Sequence, residues 1–173
     1  MEGLEFTLYQ RIDGVPTMRD SDITELYQRT EAAGLTRLMF NDGSLQNASE
    51  FTDYVTRSAV IFFKITLAGN PFGYFWLNRI ESTHAYCHFC AFPKYWGDGR
   101  TVQVGIEAMK ICLKEFDMVM GMLPSSNEIA INYLLKVGLH KLGRVPNLIW
   151  SESDQKSVEG TMLYITKEDL QEA

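Results

Sequence analysis

The amino-acid sequence predicts an α+β fold: a mixed, mostly antiparallel central sheet of about seven strands flanked by about four helices, an α/β-type sandwich. Three observations predict it. Segments of alternating polarity and segments of helical periodicity follow one another as strand, two helices, three strands, helix, strand, helix, two strands. The chain has 173 residues, 46% of them hydrophobic, enough for one domain with a sizeable core. No repeat, linker or low-complexity segment divides it, so residues 1–173 are expected to form a single domain.

The elements follow in order. Residues 4–8 alternate and read as a first strand. Over 19–33, Ile23, Leu26 and Tyr27 make an apolar stripe, Asp22 and Glu25 have capping-box spacing, and Gly34 ends the helix. A shorter helix lies within 45–58, with Phe51, Tyr54 and Val55 on one face. Residues 59–67 are rich in β-branched and aromatic side chains, and Ala68-Gly69-Asn70-Pro71 is a turn. A second strand over 72–80 turns at Glu81-Ser82 into a third over 83–92, an antiparallel meander that Pro93 stops. After Gly97-Asp98-Gly99 comes a helix with Val102, Ile106, Met109, Leu113 and Phe116 inward and Gln103, Glu107, Lys110 and Lys114 outward. Residues 117–123 read as a buried strand. Ser125 and Glu128 have the spacing of a second capping box, opening a helix that runs to Val137 with Gly138 as C-cap. Residues 139–150 and 158–166 are the last two strands.

Composition narrows the function classes. The net charge is -6 and no basic stripe occurs, so no nucleic-acid partner is expected. Three cysteines make no disulfide framework. The opening MEGLEFTLYQ lacks the basic and apolar regions of a signal peptide, and the longest apolar runs are too short to span a bilayer. The expectation is therefore a cytoplasmic protein with no membrane partner.

The stretch THAYCHFCAF, residues 83–92, concentrates two of the three histidines and two of the three cysteines. On a strand, His84, Tyr86, His88, Cys90 and Phe92 share one face; Ala85, Cys87, Phe89 and Ala91 share the other. Cys87 and Cys90 therefore point apart, and the C-x-x-C spacing is not a chelating knuckle. His88 and Cys90 stand about 6.6 Å apart along the strand, two ligands, or three with His84, without an obvious fourth, and no metal is expected. His88 reads either as a proton acceptor or as a hydrogen-bonded core histidine.

A strand ending in Pro93, a loop with two glycines and a strong amphipathic helix together make a device that receives phosphate on backbone N–H groups and a helix N-terminus. Here the sequence resembles the GNAT superfamily of acyl-CoA-dependent N-acyltransferases. Trp96-Gly97-Asp98-Gly99-Arg100-Thr101 is similar to that family's Gln/Arg-x-x-Gly-x-Gly/Ala loop, and NEIAINYLLKVGL, with Asn127, Ala130, Leu134, Gly138 and Leu139, to its Asn-x-x-Ala signature. Trp96, Thr101 and Leu134 depart from the family pattern, Leu134 standing where a tyrosine often acts as general acid. Tyr133 is one position early, a rotation of about 100° on a helix.

The resemblance implies direct acetyl transfer from acetyl-CoA, a cosubstrate, to a primary amine of a small molecule or peptide. It implies His88 and Tyr86 as catalytic residues. It implies pantetheine and thioester contacts at Ala91, Phe92 and Asn127, and pyrophosphate contacts along Trp96, Gly97, Asp98, Gly99, Arg100 and Thr101. Glu81, Tyr74, Trp76, Trp150 and Tyr164 could line an acceptor pocket, and a homodimer stays open. The competing implication is a GNAT-fold CoA-binding or protein-interaction module without catalysis, supported by the departures at Trp96, Asp98, Thr101 and Leu134.

Overall fold

The structure, a computed structural model, describes residues 1–170. In chain order its elements are β1 (Leu4–Leu8), a small hairpin of β2 (Arg11–Ile12) and β3 (Val15–Pro16), then helices α1 (Asp20–Ala32), α2 (Thr36–Met39) and α3 (Ala48–Val55). Strands β4 (Ile61–Leu67), β5 (Asn70–Asn78) and β6 (His84–Ala91) follow, then α4 (Arg100–Glu115), β7 (Met118–Pro124), α5 (Glu128–Val137), β8 (His140–Ser151) and β9 (Lys156–Thr166). Seven strands form one sheet in the order β1-β4-β5-β6-β7-β9-β8. The pairs β1/β4, β4/β5, β7/β9 and β8/β9 are antiparallel and β6/β7 is parallel, so the predicted mixed, mostly antiparallel sheet is present. No described helix is long and apolar enough to cross a membrane.

The contacts divide the chain into two compact units, and β6 contributes to both. The first comprises Met1–Asn78 and His88–Trp96. On one face of β4 and β5, Phe62, Tyr74 and Trp76 meet Phe51 of α3 and Tyr27 of α1 in an aromatic cluster whose ring centres lie 5.3 to 6.4 Å apart. On the other face, Phe63 stacks on Phe75 at 4.6 Å. The turn from β4 to β5 is tight: Ala68 and Gly69 both take positive φ, 49° and 75°, which matches the right-handed twist of the paired strands. At Gly73 the strands come so close that an added Cβ would lie 2.0 Å from the Cys90 carbonyl oxygen.

The second unit comprises Arg79–Cys87 and Gly97 onward. Here β6 and β7 pair over His84, Ala85 and Tyr86 only. The buried face of α4 is Thr101, Val104, Gly105, Ala108, Met109, Cys112 and Leu113. That differs from the predicted stripe, since Val102 and Ile106 are only half-buried. The reason is α5. A Cβ on Gly105 would lie 2.3 Å from Tyr133 Oη and 2.7 Å from Val137 Cγ2, so close packing turns Gly105 inward, while Met109, Leu113 and Phe116 are buried as expected.

Two caps also differ from expectation. On α1, Asp22 accepts the Arg19 N–H at 3.1 Å, placing the box one turn before the Asp22/Glu25 spacing; Glu25 pairs with Arg29 instead. On α5 the N-cap is Asn127, and Ser125 bonds Thr161 at 2.8 Å.

Candidate active site

The alternation read from THAYCHFCAF holds. Cys90 is buried beside Tyr74 and Thr30, and burial, its largest influence, pushes its thiol up to about 11. Cys87 meets Cys112 of α4, and that neighbouring thiol together with burial raises it well above the ordinary value. No group of three or more metal-binding side chains occurs among the described residues.

His88 is half-buried on the Cys90 face. Its ring lies flat on Trp76, with centres 4.7 Å apart and planes 4° from parallel. His88 Nε2 is 3.2 Å from Asn78 Oδ1, and Asn78 Nδ2 donates to Tyr54 Oη at 2.7 Å. Tyr86 falls in the other unit, where the Arg79 guanidinium sits 5.4 Å over its ring and His84 meets its edge.

At the end of β6 some backbone groups are already engaged. Phe92 N–H donates to Phe72 O at 3.0 Å, and Trp96 Nε1 donates to Ala91 O at 2.9 Å, leaving the Trp96 indole half-exposed. Strand alternation turns the Ala91 N–H away from β5.

In the glycine loop, Gly97 and Gly99 take φ of 93° and 81°, left-handed values that disfavour any other residue. Asp98 turns back onto the helix start. Its Oδ1 accepts the Arg100 N–H at 3.1 Å and its carboxylate also pairs with the Arg100 guanidinium. The Arg100 N–H above all, then its side chain, hold the Asp98 carboxyl below the usual range. The first intrahelical bond of α4 runs from Gln103 N–H to Gly99 O, so Thr101 and Val102 N–H have no partner within the helix. Thr101 itself is buried, and its carbonyl accepts the Tyr133 hydroxyl at 3.1 Å. Asn127 Oδ1 is committed to the Ala130 N–H at 3.2 Å.

No family model matches the sequence, and no curated protein matches it. Solved structures do match. The spermidine N-acetyltransferase of Vibrio cholerae, in complex with CoA and spermine, gives a TM-score of 0.77 at 13% identity over 99% of each chain. The Salmonella typhimurium acetyltransferase that modifies the N-terminal serine of a ribosomal subunit protein gives 0.77 at 12% identity over 96% of each. An aminoglycoside acetyltransferase in complex with coenzyme A and kanamycin gives 0.72 at 13% identity, over 98% of this chain and 99% of the other.

The chain has the GNAT fold. Within that fold, Leu134 packs toward Gly121 of β7 and brings no phenol there. Tyr133 is bonded to α4, and burial raises its hydroxyl far above the ordinary value, so it is a packing residue. Of the residues expected to line an acceptor pocket, Tyr74 and Trp76 are core, Tyr74 bonded to Thr30 at 2.8 Å. Trp150 is partly exposed, with Nε1 on Glu152 at 3.0 Å. Sequence reasoning missed Asn78 and Tyr54. The hairpin turn, closed by Glu81 N–H on His84 O at 2.8 Å, was a signal for Asn78 beside His88, since folding about it brings 78 near 88. Nothing in the sequence pointed to Tyr54.

Proposed function

We propose that the chain, as one acyltransferase domain over residues 1–173, transfers an acetyl group from acetyl-CoA to a primary amine by direct attack. The observation that carries this reading is the end-to-end likeness to acetyltransferases, two of them with CoA in their structures. In this reading His88 takes a proton from the acceptor ammonium. The freed amine attacks the thioester carbonyl, the C–N bond forms, the C–S bond breaks, the nitrogen sheds its surplus proton to give the amide, and the CoA thiolate leaves and takes up a proton in its place. Tyr86 is the phenol assigned to that last step, given that Tyr133 is bonded to Thr101 O.

For the thioester oxygen, the Ala91 N–H is the donor at the strand end, because the Phe92 N–H is already bonded to Phe72 O. Phe92 and Trp96 then flank the pantetheine arm, with Asn127 offering it the amide end that does not cap α5. Gly97, Gly99 and Thr101, joined by Val102, offer N–H groups to the pyrophosphate at the positive end of α4. Asp98 and Arg100, paired with each other, flank it. Acetyl-CoA is the cosubstrate, and no metal enters the scheme. Three free cysteines suit a reducing, cytoplasmic setting. The acceptor is a small-molecule or peptide amine, by analogy with spermine, kanamycin and an N-terminal serine in the structures it is similar to.

A second reading, a GNAT-fold module that binds CoA without catalysis, is favoured by one observation: the hydroxyl nearest the family's acid position is bonded to Thr101 O. Calorimetric titration with acetyl-CoA, followed by free-thiol release over polyamines, aminoglycosides and N-terminal peptides, separates the two. Binding with turnover on an amine is expected. No binding sinks the enzyme; binding without turnover on any amine favours the module.

A further inference from the structure

At the C-terminal end of β7 the chain turns through Ser125 and Ser126 into α5, and between this turn and the β8–β9 hairpin lies an open cavity of about 420 Å³. Its walls carry both signs of charge: Arg144 and Lys156 against Asp154 and Glu159, with the two serines and Val158 between them. These groups are not equally engaged. Glu159 faces Arg144 at 3.5 Å, a loose ion pair. Asp154 accepts the Ser151 hydroxyl at 3.0 Å. The Ser125 hydroxyl bonds Thr161 at 2.8 Å and the Ser125 N–H donates to Glu159 O at 2.9 Å. Lys156, exposed, makes no hydrogen bond or ion pair among the described residues. The walls sum to no net charge, and the group left without a partner is an ammonium.

We propose that this cavity is an acceptor subsite for a peptide with an acidic side chain close to its amine, and that Lys156 binds that carboxylate. This rests on the acyltransferase reading and narrows its acceptor from any primary amine to a peptide amine. The cavity begins at Ser126, the residue before Asn127, to which that reading gives the pantetheine arm. A polycationic amine needs a surplus of carboxylates. Here it would meet Lys156 and Arg144, with Asp154 and Glu159 only balancing them. A carboxylate alone would take Lys156 but face Asp154 and Glu159 with nothing to offer them. A peptide brings the carboxylate together with a backbone donor and acceptor at each residue, which suits walls of hydroxyls and both charges. The open shape also suits a chain that enters and leaves more than a compact ligand that must be enclosed.

The test uses full-length protein, spermine, and a pair of fluorescent hexapeptides with free amino termini that differ only in a glutamate or a lysine beside the first residue. By anisotropy, the glutamate peptide is expected to bind about three- to ten-fold tighter than the lysine peptide, a preference that shrinks at high salt. It should also exceed spermine in kcat/KM for thiol release. Lys156→Glu should reverse the order of the two peptides and admit spermine. Lys167→Glu makes the same change in net charge at a lysine paired with Asp117 outside the cavity walls, and should leave the order as it is. Equal binding of the two peptides overturns the proposal. So does a Lys156→Glu protein that keeps the original order, or spermine as the better substrate. Failure of the unaltered protein to bind acetyl-CoA sinks the acyltransferase reading whatever the peptides do, whereas the wrong order of peptides sinks only the subsite.

Discussion

His88 and Asp98 are each fixed in place by their immediate neighbours. His88 is held by Asn78 on its edge and Trp76 on its face. Truncation to alanine removes the proposed base and leaves the glycine loop untouched. His88→Ala is expected to lower turnover by about 10²- to 10⁴-fold with acetyl-CoA affinity unchanged, read by thiol release and calorimetry. Unchanged turnover removes His88 from the mechanism. Asp98 puts an anion beside the loop proposed to hold phosphate, and its carboxylate turns onto the Arg100 N–H and guanidinium. Asp98→Asn keeps a capping oxygen and removes the negative charge that pairs with Arg100. Acetyl-CoA is expected to bind about two- to five-fold tighter, with the gain shrinking at high salt. Weaker binding would mean that the carboxylate itself orders the loop.

At the scale of elements, most boundaries were legible because period-2 and period-3.6 patterns are local. β1 matches its expected residues, and α1, α4, α5 and the β8–β9 pair lie within a few residues of theirs. The hairpin β2–β3 was missed although Asp13 and Gly14, both at positive φ, are a strong turn pair; its strands have only two residues each. Helix α2, of four residues, has no periodicity to read. On α4, Met109, Leu113 and Phe116 are buried as expected, whereas Val102 and Ile106 are only half-buried because the contact with α5 needs Gly105. Gly105→Ala is expected to destabilise the protein by about 1–3 kcal/mol in urea unfolding, with part recovered by adding Tyr133→Phe, which removes the nearest clashing atom. Full tolerance would show that α5 can shift at no cost. Gly73→Ala meets a carbonyl oxygen rather than the tip of a side chain, so no second substitution is expected to rescue it.

At the scale of the whole molecule, both units bury neutral acids. Cys90 and Tyr74 lie in one, Cys87 and Tyr133 in the other, and all four are shifted upward, Cys90 to about 11. The sign follows from linkage. Above the ordinary thiol value of 9.0 the unfolded chain releases the Cys90 proton while the folded chain keeps it, so stability is intact below about pH 9 and falls as pH rises toward 11. Cys90 alone contributes about 1.4 kcal/mol of loss per pH unit in that window. Urea unfolding at pH 8, 9 and 10 should show the decline, and Cys90→Ala a shallower one; a flat profile would mean the thiol reaches water in the folded state.

Local patterns in the chain set the order of its longer elements, the split of Cys87 and Cys90 onto opposite faces, and the glycine loop opening α4. These are consequences of local backbone geometry, readable one residue at a time. Only the tertiary structure decided which polar groups are already engaged. It assigned the Phe92 N–H to Phe72, the Tyr133 hydroxyl to Thr101, Asp98 to Arg100, and His88 to an amide ten residues away backed by a tyrosine from a helix. A hydrogen bond depends on which donor meets which acceptor across elements. Periodicity is silent on that pairing.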